Sequence, residues 1–70
     1  MQFTEKTLNN WKAYEKVRQG GQYNMIMDFE KASKAAGLSI NTYTSTLRQY
    51  SVIRDYIIKQ YGSVEAFMAK

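Results

Sequence analysis

The chain has no cysteine, no histidine and no proline. Without cysteine no disulfide can staple the fold, and zinc sites built on Cys or His ligands are excluded. The usual general base and the thiolate nucleophile are missing as well, so no enzyme activity and no cofactor are expected. The six carboxylates are scattered. Three of them, in Asp28–Lys31, Glu30–Lys34 and Asp55–Lys59, stand at helical ion-pair spacing. Asp28 and Glu30 beside a lysine make a poor cation site, which leaves a solvated face. Gly20-Gly21 has neither a preceding strand nor a following Gly-Lys-Ser/Thr, so it is not a phosphate loop. No apolar run approaches the roughly 18 residues of a membrane span. Met1-Gln2-Phe3-Thr4-Glu5-Lys6 lacks the charged-then-apolar pattern of a signal peptide, so the expected location is the cytoplasm, without a membrane partner. There is no internal repeat, no linker and no alternating strand pattern.

What is present is aromatic and basic. Six Tyr, three Phe and Trp11 make 14% of 70 residues. Such a length holds one domain, residues 1–70, and buries a modest core. With no disulfide or Cys/His metal site, a second copy is the remaining source of stability, and surplus aromatics favour a shared face, so a homodimer is expected. Net charge is +4 and the pI about 9.5, a balance that permits nucleic-acid binding without requiring it.

The apolar periodicity is helical throughout. Thr4 caps a first helix, with Phe3 and Leu8 at hydrophobic-staple spacing. Leu8, Trp11, Tyr14 and Val17 form its stripe, and Gly20-Gly21 ends it behind Arg18. Either Asn24 or Asp28 caps the second helix, and Met25-Ile26-Met27 is read as core. That helix ends at Gly37, with Leu38 folding back on Ala32. Ser39 caps a third helix whose stripe is Ile40, Tyr43, Leu47 and Tyr50. The stripe either continues to Tyr61 or breaks at Ser51, with the break preferred. Gly62 stops this segment, and Ser63 caps a turn holding Val64, Phe67 and Met68. The expected fold is all-α, a compact bundle of four or five short helices.

Two groups of residues point to chemistry. In the first helix Lys6, Lys12, Lys16 and Arg18 outnumber Glu5 and Glu15, and Lys12 and Lys16 share a face with Asn9. That strip either contacts phosphates or is an ordinary solvated face. The second group is a helix-turn-helix-like corner. Ala32, Ala36, Gly37, Leu38, Tyr43 and Leu47 sit where such a motif places small residues, the turn glycine and apolar residues. Ser33 and Thr46 fit less well, since Ala and an apolar residue are usual there. The outward face of the third helix would be Asn41, Thr42, Thr44, Ser45, Arg48 and Gln49, and Asn, Gln and Arg pair bidentately with purine edges. A plain αα corner with a polar solvent face gives the same pattern. Tyr23, Tyr56 or Tyr61 could instead form a protein-binding surface, or simply keep a hydroxyl in water.

Tyr14-Glu15-Lys16-Val17-Arg18-Gln19-Gly20-Gly21-Gln22-Tyr23-Asn24-Met25, with Gly37-Leu38-Ser39 and Gln49-Tyr50-Ser51, resembles small uncharacterised tailed-phage proteins. These carry a YExVRxSGxxNMFD segment, then GLS, then a helix ending in NYS. The resemblance spans roughly residues 11 to 53. Gly20 stands where Ser is usual, Ile26 and Met27 replace the Phe, and Gln49 replaces Asn. It implies an origin and no activity: a phage or prophage accessory protein in the host bacterial cytoplasm. The leading expectation is therefore a regulatory protein that binds duplex DNA through its corner, using Lys12, Lys16 and Arg18 on phosphates. The alternative is a protein-binding inhibitor or modulator of a host or anti-phage defence enzyme, and a small virion or assembly component is a third.

Overall fold

Hydroxyl caps open three of the helices and glycines close three. The computed structural model describes residues 3–69. Among them the chain forms α1 (Glu5–Gly20), α2 (Phe29–Ala36), α3 (Ile40–Arg48), α4 (Tyr50–Tyr61) and α5 (Val64–Met68), with no strand. The fold is a small all-α bundle, as the periodicity requires. The hydroxyls of Thr4, Ser39 and Ser63 each accept from the backbone N–H three residues on, satisfying a donor that a helix start leaves unpaired. Phe3 packs against the cluster that contains Leu8, as the staple spacing requires.

The α2–α3 corner depends on Gly37, which sits at φ 72°. Leu38 N–H donates to Ser33 C=O and Gly37 N–H to Lys34 C=O, the two bonds of a Schellman stop. Leu38 then packs into the cluster that holds Ala32.

Both readings of the segment before α2 contribute. The Asn24 carboxamide oxygen accepts from the N–H groups of Ile26 and Met27, while Asp28 makes no side-chain cap bond. Asn24 thus caps a turn over residues 25–28 that runs into α2. Only Met25 of the three apolar residues joins the core. Ile26 is 71% and Met27 78% exposed, which corrects the reading of all three as core. A single turn points successive side chains in different directions, so only one of three can face inward.

The break after α3 falls at Gln49 (φ −101°, ψ 10°), two residues before Ser51. It is slight, because Gln49 N–H still reaches Ser45 C=O and Ile53 N–H reaches Gln49 C=O.

Helix α1 runs through the middle and divides the core. Leu8 and Trp11 pack with Ile53, Ile57 and Phe67 from α4 and α5. Tyr14 packs with Ala32 of α2 and Tyr43 of α3. Rings connect the two ends in an unbroken series. Tyr61 meets Phe67, Phe67 meets Trp11, Trp11 stacks on Tyr50 at 5.3 Å, and Tyr50 and Tyr43 both contact Tyr14. The aromatic residues therefore fit within one bundle. Phe29, 38% exposed, is the most solvent-facing aromatic side chain among the described residues.

Candidate functional site

Behind the corner that carries the candidate face lie three buried side chains with hydroxyls, Ser33, Tyr43 and Thr46. Ser33 and Thr46, the two residues that fit a helix-turn-helix less well, are both buried. Each satisfies its hydroxyl within its own helix: Ser33 Oγ donates to Glu30 C=O, and Thr46 Oγ1 to Thr42 C=O. They fill the positions of small and apolar residues without leaving a buried donor unpaired. Tyr43 is fully buried, and its hydroxyl donates to Met25 C=O at 2.7 Å, tying α3 to the turn that precedes α2.

A second polar group was not singled out from the sequence. Glu15 is only 2% exposed. Its carboxylate accepts from Arg18 Nε at 2.6 Å and Nη2 at 2.8 Å, from Gln19 and from the Tyr50 hydroxyl. Burial alone would raise the Glu15 pKa, but the bonds from Arg18, Tyr50 and Gln19 outweigh it and hold the carboxyl below its usual range. Burial raises Tyr50 in turn, helped by its bond to Glu15. Tyr14 is pushed up to about 12, first by burial and then by Tyr43 and Tyr50. The signal for Glu15 was present: it follows Leu8 by seven residues and Trp11 by four, which puts it on their stripe.

This network changes the reading of α1. Arg18 is turned onto Glu15 and lies over the Tyr50 ring, 5.4 Å from its centroid, although its side chain stays 47% exposed. Lys12 is half-buried with its ammonium 5.6 Å from the Phe67 centroid. With Asn9 it borders a groove toward Tyr61 and Phe67. Lys16, one turn on, is exposed on the same flank.

Asn41, Thr42, Ser45 and Gln49 border a different groove. It holds about 240 Å³ and lies between α1 and α3. Thr7 and Asn10 of α1 line one side, Asn41, Thr42 and Ser45 the other, with Gln49 at the end and Thr46 and Ile53 beneath. Asn41, Ser45, Arg48 and Gln49 are exposed, and Thr42 and Thr44 half-buried. The structure thus brings Asn41, Thr42, Ser45 and Gln49 together at one groove, leaves Thr44 and Arg48 outside it, and adds Thr7 and Asn10, which sequence reasoning missed. It does not bring Lys12 and Lys16 to them, because α3 and α5 pack on different flanks of α1. A phosphate strip on α1 beside a base-reading face on α3 is not the arrangement found.

The helical ion pairs are also absent. Among the described residues Asp28–Lys31, Glu30–Lys34 and Asp55–Lys59 do not close, and Asp55 lies 4.0 Å from Arg54 instead. The Asp28 carboxylate accepts from the Asn24 N–H. No group of three His, Cys, Asp or Glu side chains that could hold a metal, and no helix long and apolar enough to cross a membrane, occurs among the described residues.

Comparison with protein families, curated proteins and solved structures finds no match for the chain. The phage-type resemblance therefore rests on its own residues, and these have a structural account. Tyr14, Glu15 and Arg18 build the α1 side of the network, Asn24 caps the turn, Met25 receives the Tyr43 hydroxyl, and Tyr50 closes on Glu15.

Proposed function

We propose that the chain is a non-enzymatic, phage-type accessory protein that binds duplex DNA through α3 and acts as a regulator in a host bacterial cytoplasm. One observation carries this reading: the burial pattern of the corner. Tyr43 and Thr46 of α3 are buried and Leu47 half-buried, while Ser39, Asn41, Ser45 and Arg48 are exposed, as is Ile40 despite its place on the apolar stripe. A recognition helix needs that division, with an inner face packed on the preceding helix and an outer face for base edges. Asn41 and Arg48 suit purine edges, and the exposed Ile40 suits a thymine methyl. The phosphate contacts pass from α1 to Lys31 and Lys34, both exposed on α2 beside the corner.

Fluorescence anisotropy on duplexes across a salt series tests this. Replacing Lys31 and Lys34 by Ala weakens binding to every sequence and lowers the salt slope by about 2. Asn41→Ala or Arg48→Ala relaxes specificity, costing about 1–3 kcal/mol at one base pair. Replacing Lys12 and Lys16 changes neither. Absence of salt-dependent duplex binding at low ionic strength overturns the reading.

A second reading, a protein-binding inhibitor or modulator of a host or defence enzyme, is favoured by the exposed turn. Asn24 holds Ile26 and Met27 in solvent, with Phe29 38% exposed beside them, and clustered exposed apolar side chains mark contact surfaces. The same turn offers the expected homodimer a contact. A partner that survives nuclease treatment of a lysate and is lost on Ile26→Ser/Met27→Ser supports this reading over DNA.

A further inference from the structure

We infer that the groove between α1 and α3 is a binding site for a single nucleobase, adenine first. The groove is unusual in what its walls leave unspent. Three carboxamides reach it, from Asn10, Asn41 and Gln49, and none makes a side-chain hydrogen bond among the described residues. The Ser45 hydroxyl is likewise unspent. The other hydroxyls are in use: Thr7 with Thr4, Thr42 with Ser39, and Thr46 with Thr42 C=O. Nothing ionisable lines the space, so a phosphate or carboxylate finds no counter-charge there, and an uncharged ligand is not penalised. At about 240 Å³ the groove is below the roughly 300–1,000 Å³ typical of pockets for larger ligands, which limits it to one ring system. Buried Ile53 gives that ring an apolar floor.

A carboxamide presents a donor beside an acceptor, which an edge of any unpaired base can match, and adenine is placed first because its N6–H₂ and N7 edge is the customary partner of Asn and Gln. Three carboxamides around one space can engage two edges of the same purine. A base inside a duplex shows only its groove edges, whereas this groove takes the ring itself. The ligand is therefore a free nucleoside or an unpaired base of a nucleic-acid strand. Asn41 and Ser45 are shared with the proposed duplex-reading face, but the inference stands without it.

The test is a ¹H–¹⁵N NMR titration of the whole chain with adenosine, guanosine, cytidine, thymidine and, as a sugar control, glucose. Adenosine is expected to shift signals of Thr7, Asn10, Ser45 and Gln49 with millimolar saturation, ahead of the other nucleosides. Asn10→Ala/Gln49→Ala is expected to weaken this about tenfold while the rest of the spectrum stays folded. A short oligoadenylate distinguishes the sources: tighter binding than adenosine at the same signals assigns the site to a strand, and equal or weaker binding assigns it to the free nucleoside. No shift with any nucleoside, equal shifts with glucose, or undiminished binding in the double variant overturns the inference. Nucleoside binding without duplex binding removes the duplex reading and keeps this one.

Discussion

At the α4–α5 end of α1 the core is Leu8, Trp11, Ile53, Ile57 and Phe67; at the α2–α3 end it is Tyr14, Ala32 and Tyr43. The first set is apolar apart from the Trp11 N–H, which donates to Tyr50 C=O. The second is completed by polar side chains that are also buried, Glu15, Ser33 and Thr46. Apolar burial is non-directional, so the first end is held by area and shape. Hydrogen bonds are directional and costly to leave unmade, so the two that cross between elements, Tyr43 to Met25 C=O and Tyr50 to Glu15, hold the second end at a particular geometry. That is the end that carries the corner and the exposed turn. Tyr50 joins the two, with its ring on Trp11 and its hydroxyl on Glu15.

The largest effect is expected at the apolar end. Trp11→Ala removes a fully buried ring and should cost about 3–5 kcal/mol. A chain this short holds roughly 4–10 kcal/mol in all, so urea titration should find the variant largely unfolded or close to it. At the polar end, Tyr43→Phe keeps the ring and loses only the bond to Met25 C=O, so about 1 kcal/mol is expected. Comparable losses for both would erase the distinction between the ends.

Glu15 comes next, and pH exposes it. Its carboxyl is held below the usual range in the folded state. Its stabilisation is therefore fully present above the unfolded carboxyl pKa and is lost as pH falls through the lower, folded value. Glu15→Gln should cost about 2 kcal/mol at pH 7, because an amide turns a donor toward Arg18. The gap between wild type and variant should close toward acid pH. Urea midpoints from pH 7 downward that fall in parallel would place the acid sensitivity in other carboxylates.

What the sequence disclosed divides along the same line. Caps and stops were legible at Thr4, Gly37, Ser39, Gly62 and Ser63, because each is decided within one turn of chain. The apolar stripe of α1 was legible as far as Leu8, Trp11 and Tyr14. Glu15 lies on that stripe, but its partner Tyr50 is 35 residues away, and a charge on an apolar face is more simply read as edge than as core. The flank of α1 taken by α3 is a tertiary choice, so nothing local separated Lys12 and Lys16 from Asn41 or brought Asn10 to it. Ile26 and Met27 misled for a third reason. Apolar character gives the transfer free energy of a side chain, not the direction in which a capped turn points it.

A smaller effect is expected at the corner itself. Gly37 has φ 72°, and a methyl group added there meets nothing within 4 Å. Gly37→Ala therefore carries only the backbone cost of the left-handed region, about 1 kcal/mol. Thermal unfolding checks it. A loss well beyond that would mean that the Schellman bonds to Ser33 and Lys34 break with the substitution, making the corner less tolerant than its open surroundings indicate.

The smallest effect on stability, and the sharpest test of the division, belongs to the turn. Ile26 and Met27 contribute backbone N–H groups to the Asn24 cap, while their side chains stand in solvent. Serine at both positions keeps those N–H groups and removes the apolar surface. The urea midpoint should therefore correspond to a change within about 0.5 kcal/mol. Sedimentation should respond instead. If a second copy covers the turn, the wild-type chain sediments near twice 8.2 kDa at micromolar concentration and the double variant near 8.2 kDa. A wild-type monomer means that no second copy covers the turn and leaves its apolar surface to a different protein. A dimer unaffected by the substitution moves the shared face elsewhere. A fall in stability as large as that of Tyr43→Phe would make the turn part of the hydrogen-bonded end of the core, not a surface presented by it.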